Sequence, residues 1–378
     1  MMTLLVAGCS QNDVTLTVPE SDRAISFKVY TGVQTKGTIM DNTELKKLSE
    51  GFGIFAYLSK GGNYGANTVV SSLYMNNVHA TYAGTEWAYS PTKYWPTNTT
   101  DKVSFFAYAP YNAEGVTFTA ANVPATYTGN GTATGPALAF EIPASQKDMT
   151  DLVVSKASDN ADKAGTDNSG KVTFALGHVL SKVSMYAKTG ADLTGNGQTK
   201  VFIREVSLVH TKKLNKKATF DMYKGTWTLP TTDADYLANP YPLASASASS
   251  DKGVLNLVAA KFADYNQPSI DITTNADGVS LFPQNEYLFF IPMTAPLGTG
   301  SAAGDVKAKI VYDIVTKASD AATTAVVSTK TAEVDLKANG FKQGSAYKYT
   351  FTVGLTAITV DASVTAWTGD SEVTPDNI

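Results

Sequence analysis

The chain has one cysteine, Cys9, in 378 residues. A lone cysteine excludes an internal disulfide framework. Arginine is almost as scarce, with only Arg23 and Arg204. Charged residues make up 17% of the chain, against about 25% in an average soluble protein. The net charge is −4 and no long basic run occurs, whereas phosphate-backbone binding needs a concentrated Lys/Arg patch. The reading therefore expects no nucleic-acid partner. After Cys9 no apolar run approaches the ~18–20 residues of a membrane span. The three histidines, His79, His178 and His210, stand far apart, and no HExxH, paired-Cys motif, phosphate-cradling loop or G-x-S-x-G elbow appears. His178 lies in an apolar run and reads as a core histidine. Gly190–Gly197 and Asp271–Gly278 lack the acidic order of a calcium loop and read as turns. The expectation is a non-enzymatic protein with no cofactor and no metal.

What is present is strand patterning. Hydrophobic residues make up 43%, enough for real cores. Ile25, Phe27 and Val29 alternate with Ser26 and Lys28, as half-buried strands do. Val103–Ala109 is continuously apolar, as expected of a strand buried on both faces. Further strands are expected at Leu152–Ser155, Val172–Ala175, Leu180–Ala187, Val201–His210, Leu281–Ile291 and Val306–Thr316, with a hairpin tip at Ala318–Thr324 and a long loop at Ala244–Lys252. The only helix signal is one turn over Asp41–Leu48. Such strands, punctuated by Asn, Gly, Asp and Pro, indicate an all-β chain of two tandem β-sandwich domains. The polar stretch Lys156–Gly170 lacks apolar periodicity and reads as the linker. The expected segments are 1–23, 24–165 and 166–378.

The ends carry the functional signal. Leu4-Leu5-Val6-Ala7-Gly8-Cys9, followed by polar residues, resembles the lipobox of bacterial lipoproteins, which makes Cys9 the candidate lipidation site. The apolar run is shorter than the about 7–15 residues of a secretory signal and no Lys or Arg precedes it, so the export reading expects a translation start further upstream. Val14, Leu16 and Val18 alternate as a first strand. Arg23 follows the polar stretch Pro19-Glu20-Ser21-Asp22, of the kind preferred for proteolytic nicking. A cut between Arg23 and Ala24 would remove lipid and strand together. At the other end Tyr347, Tyr349, Phe351, Val353 and Leu355 alternate without a break, and Ile358, Val360, Ala362, Val364 and Ala366 repeat the pattern before Trp367. The aromatic block around Trp87, Tyr94 and Trp95 reads either as packing or as a stacking platform for sugar rings.

Four segments together resemble the fimbrillins, the subunit family of the type V pili of Bacteroidales. They are the lipobox, the aromatic block Trp87–Pro96 running on to Val103–Tyr111, Asp151–Val154 with Phe174–Val183, and the terminal strand pair. The resemblance implies two transthyretin-like β-sandwiches and export as an outer-membrane lipoprotein precursor. It implies cutting after an Arg by a processing protease, and polymerisation by strand exchange into a cell-surface fimbrium with a role in adhesion. By matching, Val14, Leu16 and Val18 lie in the removed strand. The donor strand is either Ile358–Ala366, with Ile358, Val360 and Val364 as its apolar face, or Tyr347–Leu355. The expected partners are other fimbrial subunits, the protease, and a host or bacterial surface ligand. The alternative is a pilus-tip adhesin or glycan-binding surface lipoprotein.

Overall fold

The computed structural model describes residues 23–31, 45–46, 50–112, 116–117, 125–128, 135–143, 149–193, 197–210, 214–230, 232–245, 257–273, 277–282, 287–293, 306–336 and 340–367. Cys9, Val14, Leu16 and Val18 lie outside the described residues, as does most of Asp41–Leu48, of which Leu45 and Lys46 are helical.

Nearly every described element is a strand. The largest sheet has eight strands, running in the order Ser26–Thr31, Lys171–His178, Val153–Ser155, Lys102–Ala109, Phe52–Ser59, Val70–Tyr82 and Trp87–Tyr89, with Thr126–Thr128 also paired to Val70–Tyr82. Its first pair is parallel. Phe52–Ser59 sits near the middle and is buried on both faces. Phe52, Ile54 and Ala56 enter one core, while Phe55 and Tyr57 enter another. A strand covered on both sides has no polar face, so it reads as a continuous apolar run; Lys102–Ala109 does the same. The sheet curls until its two ends meet. Phe27 and Tyr89 pack ring to ring at 5.0 Å, and the Ile25 N–H donates to the Lys93 carbonyl at 2.8 Å.

A four-stranded sheet made by Val116–Thr117, Ala137–Glu141, Lys217–Asp221 and Thr226–Thr228 covers the other face, with Tyr223 packing on Tyr64 and Phe106. The rest of the chain forms a six-stranded sheet centred on Thr199–Val209 and Lys307–Lys317, and a five-stranded sheet centred on Ser181–Thr189. Val206, Leu208 and Ile310 from the first meet Val183, Met185, Tyr349 and Phe351 from the second in one core. This is the face-to-face arrangement of a β-sandwich. Ala325–Asp335 pairs with Lys307–Lys317 around residues 318–324, so the expected hairpin tip is there.

Two expectations need correction. Leu281–Ile291 is not one strand: Val279–Ser280 and Leu288–Phe290 are separate short pairings with Ser181–Thr189, and the apolar Leu281 and Phe282 lie buried between them without strand geometry. Lys156–Gly170 is not a free linker. It contains a helical turn at Ala157–Asn160 and a 3-10 turn at Asp167–Gly170, and its polar groups bind the large sheet. Asp162 accepts the Tyr64 N–H at 2.7 Å and donates its own N–H to Ser104 at 2.9 Å, while Lys163 and Val103 exchange both backbone bonds. The border at 165/166 therefore falls inside the eight-stranded sheet, because Lys171–His178 pairs with Ser26–Thr31 and Val153–Ser155. Lys217–Asp221 also returns to pair with Ala137–Glu141.

Candidate assembly site

Arg23 stands where the curled sheet closes. Its carbonyl accepts the Trp95 N–H at 2.9 Å, and Ala24 bridges to Tyr94. The Tyr89 hydroxyl donates to the Ile25 carbonyl at 2.8 Å. Beyond the bridge, Ile25, Phe27 and Val29 are buried in the core lined by Phe52, Phe105 and Phe174. The Arg23–Ala24 peptide bond thus separates the residues before 23 from a firmly docked first strand. Burying three such side chains is worth roughly 4.5–9 kcal/mol, at about 1.5–3 each, so a cut there leaves the strand from Ala24 onward in place.

Arg204 is held differently. It lies inside the strand Thr199–Val209, at the register irregularity between Ile203 and Glu205 against Lys307–Lys317, and its Nη1 binds Asp313 at 2.9 Å. The Asp313 side chain is fully buried and also accepts the Tyr265 and Thr329 hydroxyls at 2.9 and 2.7 Å. Burial pushes the Asp313 carboxyl up, but hydrogen bonds from Thr329, Arg204 and Tyr265 outweigh it and hold the group below its ordinary value.

The two C-terminal strands differ in what they give to the core. Ser345–Val353 runs parallel to Ser181–Thr189 and buries Tyr347, Tyr349, Phe351 and Val353. Among the described residues Ile358–Ala366 pairs only with Ser345–Val353, at the edge of the sheet. Its core-facing row is Ile358, Val360, Ala362 and Val364, opposite Val353, Phe351, Tyr349 and Tyr347. Of that row Val360 is buried, Ile358 is half-buried, and Ala362 and Val364 are exposed, Val364 at 49%. The edge strand is held chiefly by its ladder and by the residue after it. Trp367 is buried, its N–H donates to the Gly344 carbonyl at 2.7 Å, and its ring stacks on His178 at 3.8 Å. His178 in turn binds Asp151 through Nδ1 at 2.7 Å, with both side chains buried. The Lys182 ammonium lies over the Trp367 ring; burial pushes it below its ordinary value against the pull of Asp151. His178 is thus a core histidine, and it forms the seat for the last aromatic of the chain. Sequence reasoning placed Trp367 only as the end of a strand. The signal that could have found the seat is a lone Trp closing an alternating run.

The aromatic block is interior. Trp87 packs edge-on against Phe52 at 4.9 Å, and Trp95 packs against Phe105 at 5.7 Å and donates its Nε1–H to the Gly170 carbonyl at 2.9 Å. With Trp87 and Trp95 exposed by only 8% and 4%, neither offers an open ring face to a sugar. Tyr94 is half-buried, and its backbone carbonyl and N–H are both bound by the Tyr74 hydroxyl. His79 and His210 each bind a backbone carbonyl, of Glu50 and Ala238. Among the described residues no group of three His, Cys, Asp or Glu side chains converges as a metal site.

A family profile described as Fimbrillin-like matches residues 35–367. The chain belongs to the fimbrillin-like family. It is 35% identical to the fimbrium subunit Fim1C of Phocaeicola vulgatus over 98% of this chain and 96% of that one. The fold agrees: the crystal structure of a fimbrial protein from Bacteroides vulgatus superposes with a TM-score of 0.77 at 31% identity, covering 92% of this chain and all of that one. As a fimbrillin-like protein the chain is a structural subunit of a cell-surface fimbrium, and its partners are other fimbrial subunits. No helix among the described residues is long and apolar enough to cross a membrane.

Proposed function

We propose that this fimbrillin-like chain is a non-enzymatic subunit exported as an outer-membrane lipoprotein on Cys9, cut between Arg23 and Ala24 by an arginine-specific protease, and polymerised by donation of Ile358–Ala366 to the next subunit. The observation that carries this reading is the contrast between the two arginines. Arg23 stands at the very start of the seam of the first sheet, whereas Arg204 lies mid-strand with its side chain bonded to a buried carboxylate. Removal of the segment bearing Val14, Leu16 and Val18 would open a groove with unpaired backbone groups, which a strand from another molecule fills by β-augmentation. Donor and acceptor surfaces differ, so the contact does not close on itself and propagates as a fibre.

Energetics favours Ile358–Ala366 over Tyr347–Leu355 as donor. Withdrawing the latter would expose Tyr347, Tyr349, Phe351 and Val353, about 6–12 kcal/mol at ~1.5–3 each. Withdrawing the edge strand exposes Val360, part of Ile358 and the seated Trp367. Its three apolar positions Ile358, Val360 and Val364 would then be free to fill a neighbour's groove. In the mature chain we divide the two sandwiches after His178, where the eight-stranded sheet ends, instead of at 165/166. Mass spectrometry of fimbriae sheared from native cells is expected to find Ala24 as the N-terminus; a polymer whose subunits begin at lipidated Cys9 would refute the maturation step.

A further inference from the structure

We propose that the surface cavity between Ser26–Thr31, Lys171–His178 and the docked 156–170 segment binds a single acidic sugar ring, of the hexuronic acid class. The cavity has a volume of about 220 Å³ and is lined by Tyr30, Trp95, Asn160, Lys163 and Lys171, with Asp159 and Asp167 among the remaining walls. That volume is below the ~300–1,000 Å³ of sites for drug-sized molecules, which limits the ligand to about one ring.

The unspent hydrogen-bonding groups choose the chemistry. Asn160 is 2% exposed, and its Nδ2 has no partner among the described residues. A buried donor left unsatisfied is destabilising, and a ligand oxygen in the cavity would satisfy it. The ammonium groups of Lys163 and Lys171 make no ion pair among the described residues. The carboxylates are partly spent: Asp167 accepts the Ala164 N–H at 2.8 Å, and Asp159 accepts the Ser158 hydroxyl at 3.3 Å. Lys163, Lys171 and Asn160 thus offer donors and the two aspartates keep acceptors, as suits a ligand that carries both a carboxylate and hydroxyls. The carboxylate faces the lysines, and the hydroxyls face Asn160 and the free aspartate oxygens. Tyr30 and the edge of Trp95 supply apolar wall for the C–H face of a ring.

The wall is built to hold its shape. A Cβ on Gly165 would sit 2.9 Å from Trp95 Cβ. Gly170 adopts a φ of +79°, which side chains rarely tolerate, and packs on Trp95 Nε1. The segment that composition marks as a linker is thus folded closely around Trp95, and this folding creates the cavity. The site is independent of how subunits join, so its test does not depend on polymerisation.

Isothermal titration and saturation-transfer NMR on the purified full chain test it, with methyl β-D-glucuronide as probe and methyl β-D-glucoside and acetate as controls. The glucuronide is expected to bind at millimolar concentration or below, the glucoside about tenfold more weakly, a difference of ~1.4 kcal/mol, and acetate undetectably. Lys171→Gln, at an exposed position, should keep the thermal midpoint and weaken glucuronide about tenfold; Asn160→Leu should do the same to both sugars. No glucuronide binding, acetate binding as strong as glucuronide, or unchanged affinity in Lys171→Gln would each overturn the proposal.

Discussion

A chain carrying Arg23→Gln is expected to accumulate as an unprocessed precursor and to form no fimbriae. The effect is all-or-none because there is no second site to substitute. Arg204, the one other arginine, lies mid-strand and is tied to a buried carboxylate. On the proposed maturation route the leading segment bearing Val14, Leu16 and Val18 stays attached without cleavage, and three apolar side chains docked in the acceptor groove would be worth about 4.5–9 kcal/mol at roughly 1.5–3 each. A donor strand from a neighbour would have to displace a covalently attached competitor whose effective concentration is millimolar or higher. Arg23→Lys should behave like Arg23→Gln if the protease reads the guanidinium, whose planar fork an ammonium does not reproduce. Electron microscopy of cells and immunoblots for precursor length check the result. Fimbriae in normal number on Arg23→Gln cells would remove cleavage from the account.

Trp367→Ala is the second large effect. A buried Trp removes about 150–250 Å² from water, and truncating one to Ala costs about 3–5 kcal/mol. Here the loss falls on one element. The Trp367 ring anchors the end of Ile358–Ala366 by stacking on His178, whereas the backbone N–H bond to Gly344 survives the substitution, and most of that strand's side chains are exposed. Hydrogen exchange should therefore accelerate across Ile358–Ala366 far more than across Ser181–Thr189. The thermal midpoint should also fall. Equal protection of Ile358–Ala366 in the wild type and the variant would mean that the ladder alone holds the strand, and the His178 seat would lose its role.

Much of the fold was legible in the sequence because period-two alternation depends on a single buried face. Tyr347–Val353 and Phe27–Val29 read as strands for that reason, and Val103–Ala109 read as doubly buried because both its faces are covered. What escaped was set by contacts across the chain. Val70–Tyr82 is rich in Ser, Asn and polar positions and is held by ladders on both sides, with a register shift against Phe52–Ser59. The 156–170 segment has the composition of a loop, yet its Asp162 and Gly170 bind Tyr64, Ser104 and Trp95 far away in sequence. The aromatic block pointed to two uses, and burial decides against open ring stacking for Trp87 and Trp95. The seat of Trp367 brings together Asp151, His178 and Phe289; the Trp that closes the alternating run is visible locally, but the residues that receive it are far away in sequence.

The central claim is that Ile358–Ala366 leaves its own sheet to join another subunit, and a reversible lock tests it directly. Lys348 and Ser363 face each other across the last hairpin and are both exposed. Opposed residues in an antiparallel pair lie about 4.5–5.5 Å apart at Cα, within the range a disulfide spans. The chain processed to Ala24 holds no cysteine of its own, so Lys348→Cys with Ser363→Cys can pair only with each other within one chain. After protease treatment the oxidised double variant is expected to remain monomeric, and reduction is expected to release ladders and fibres like those of the wild type. Polymerisation of the oxidised chain at the rate of the reduced one would contradict donation of this strand.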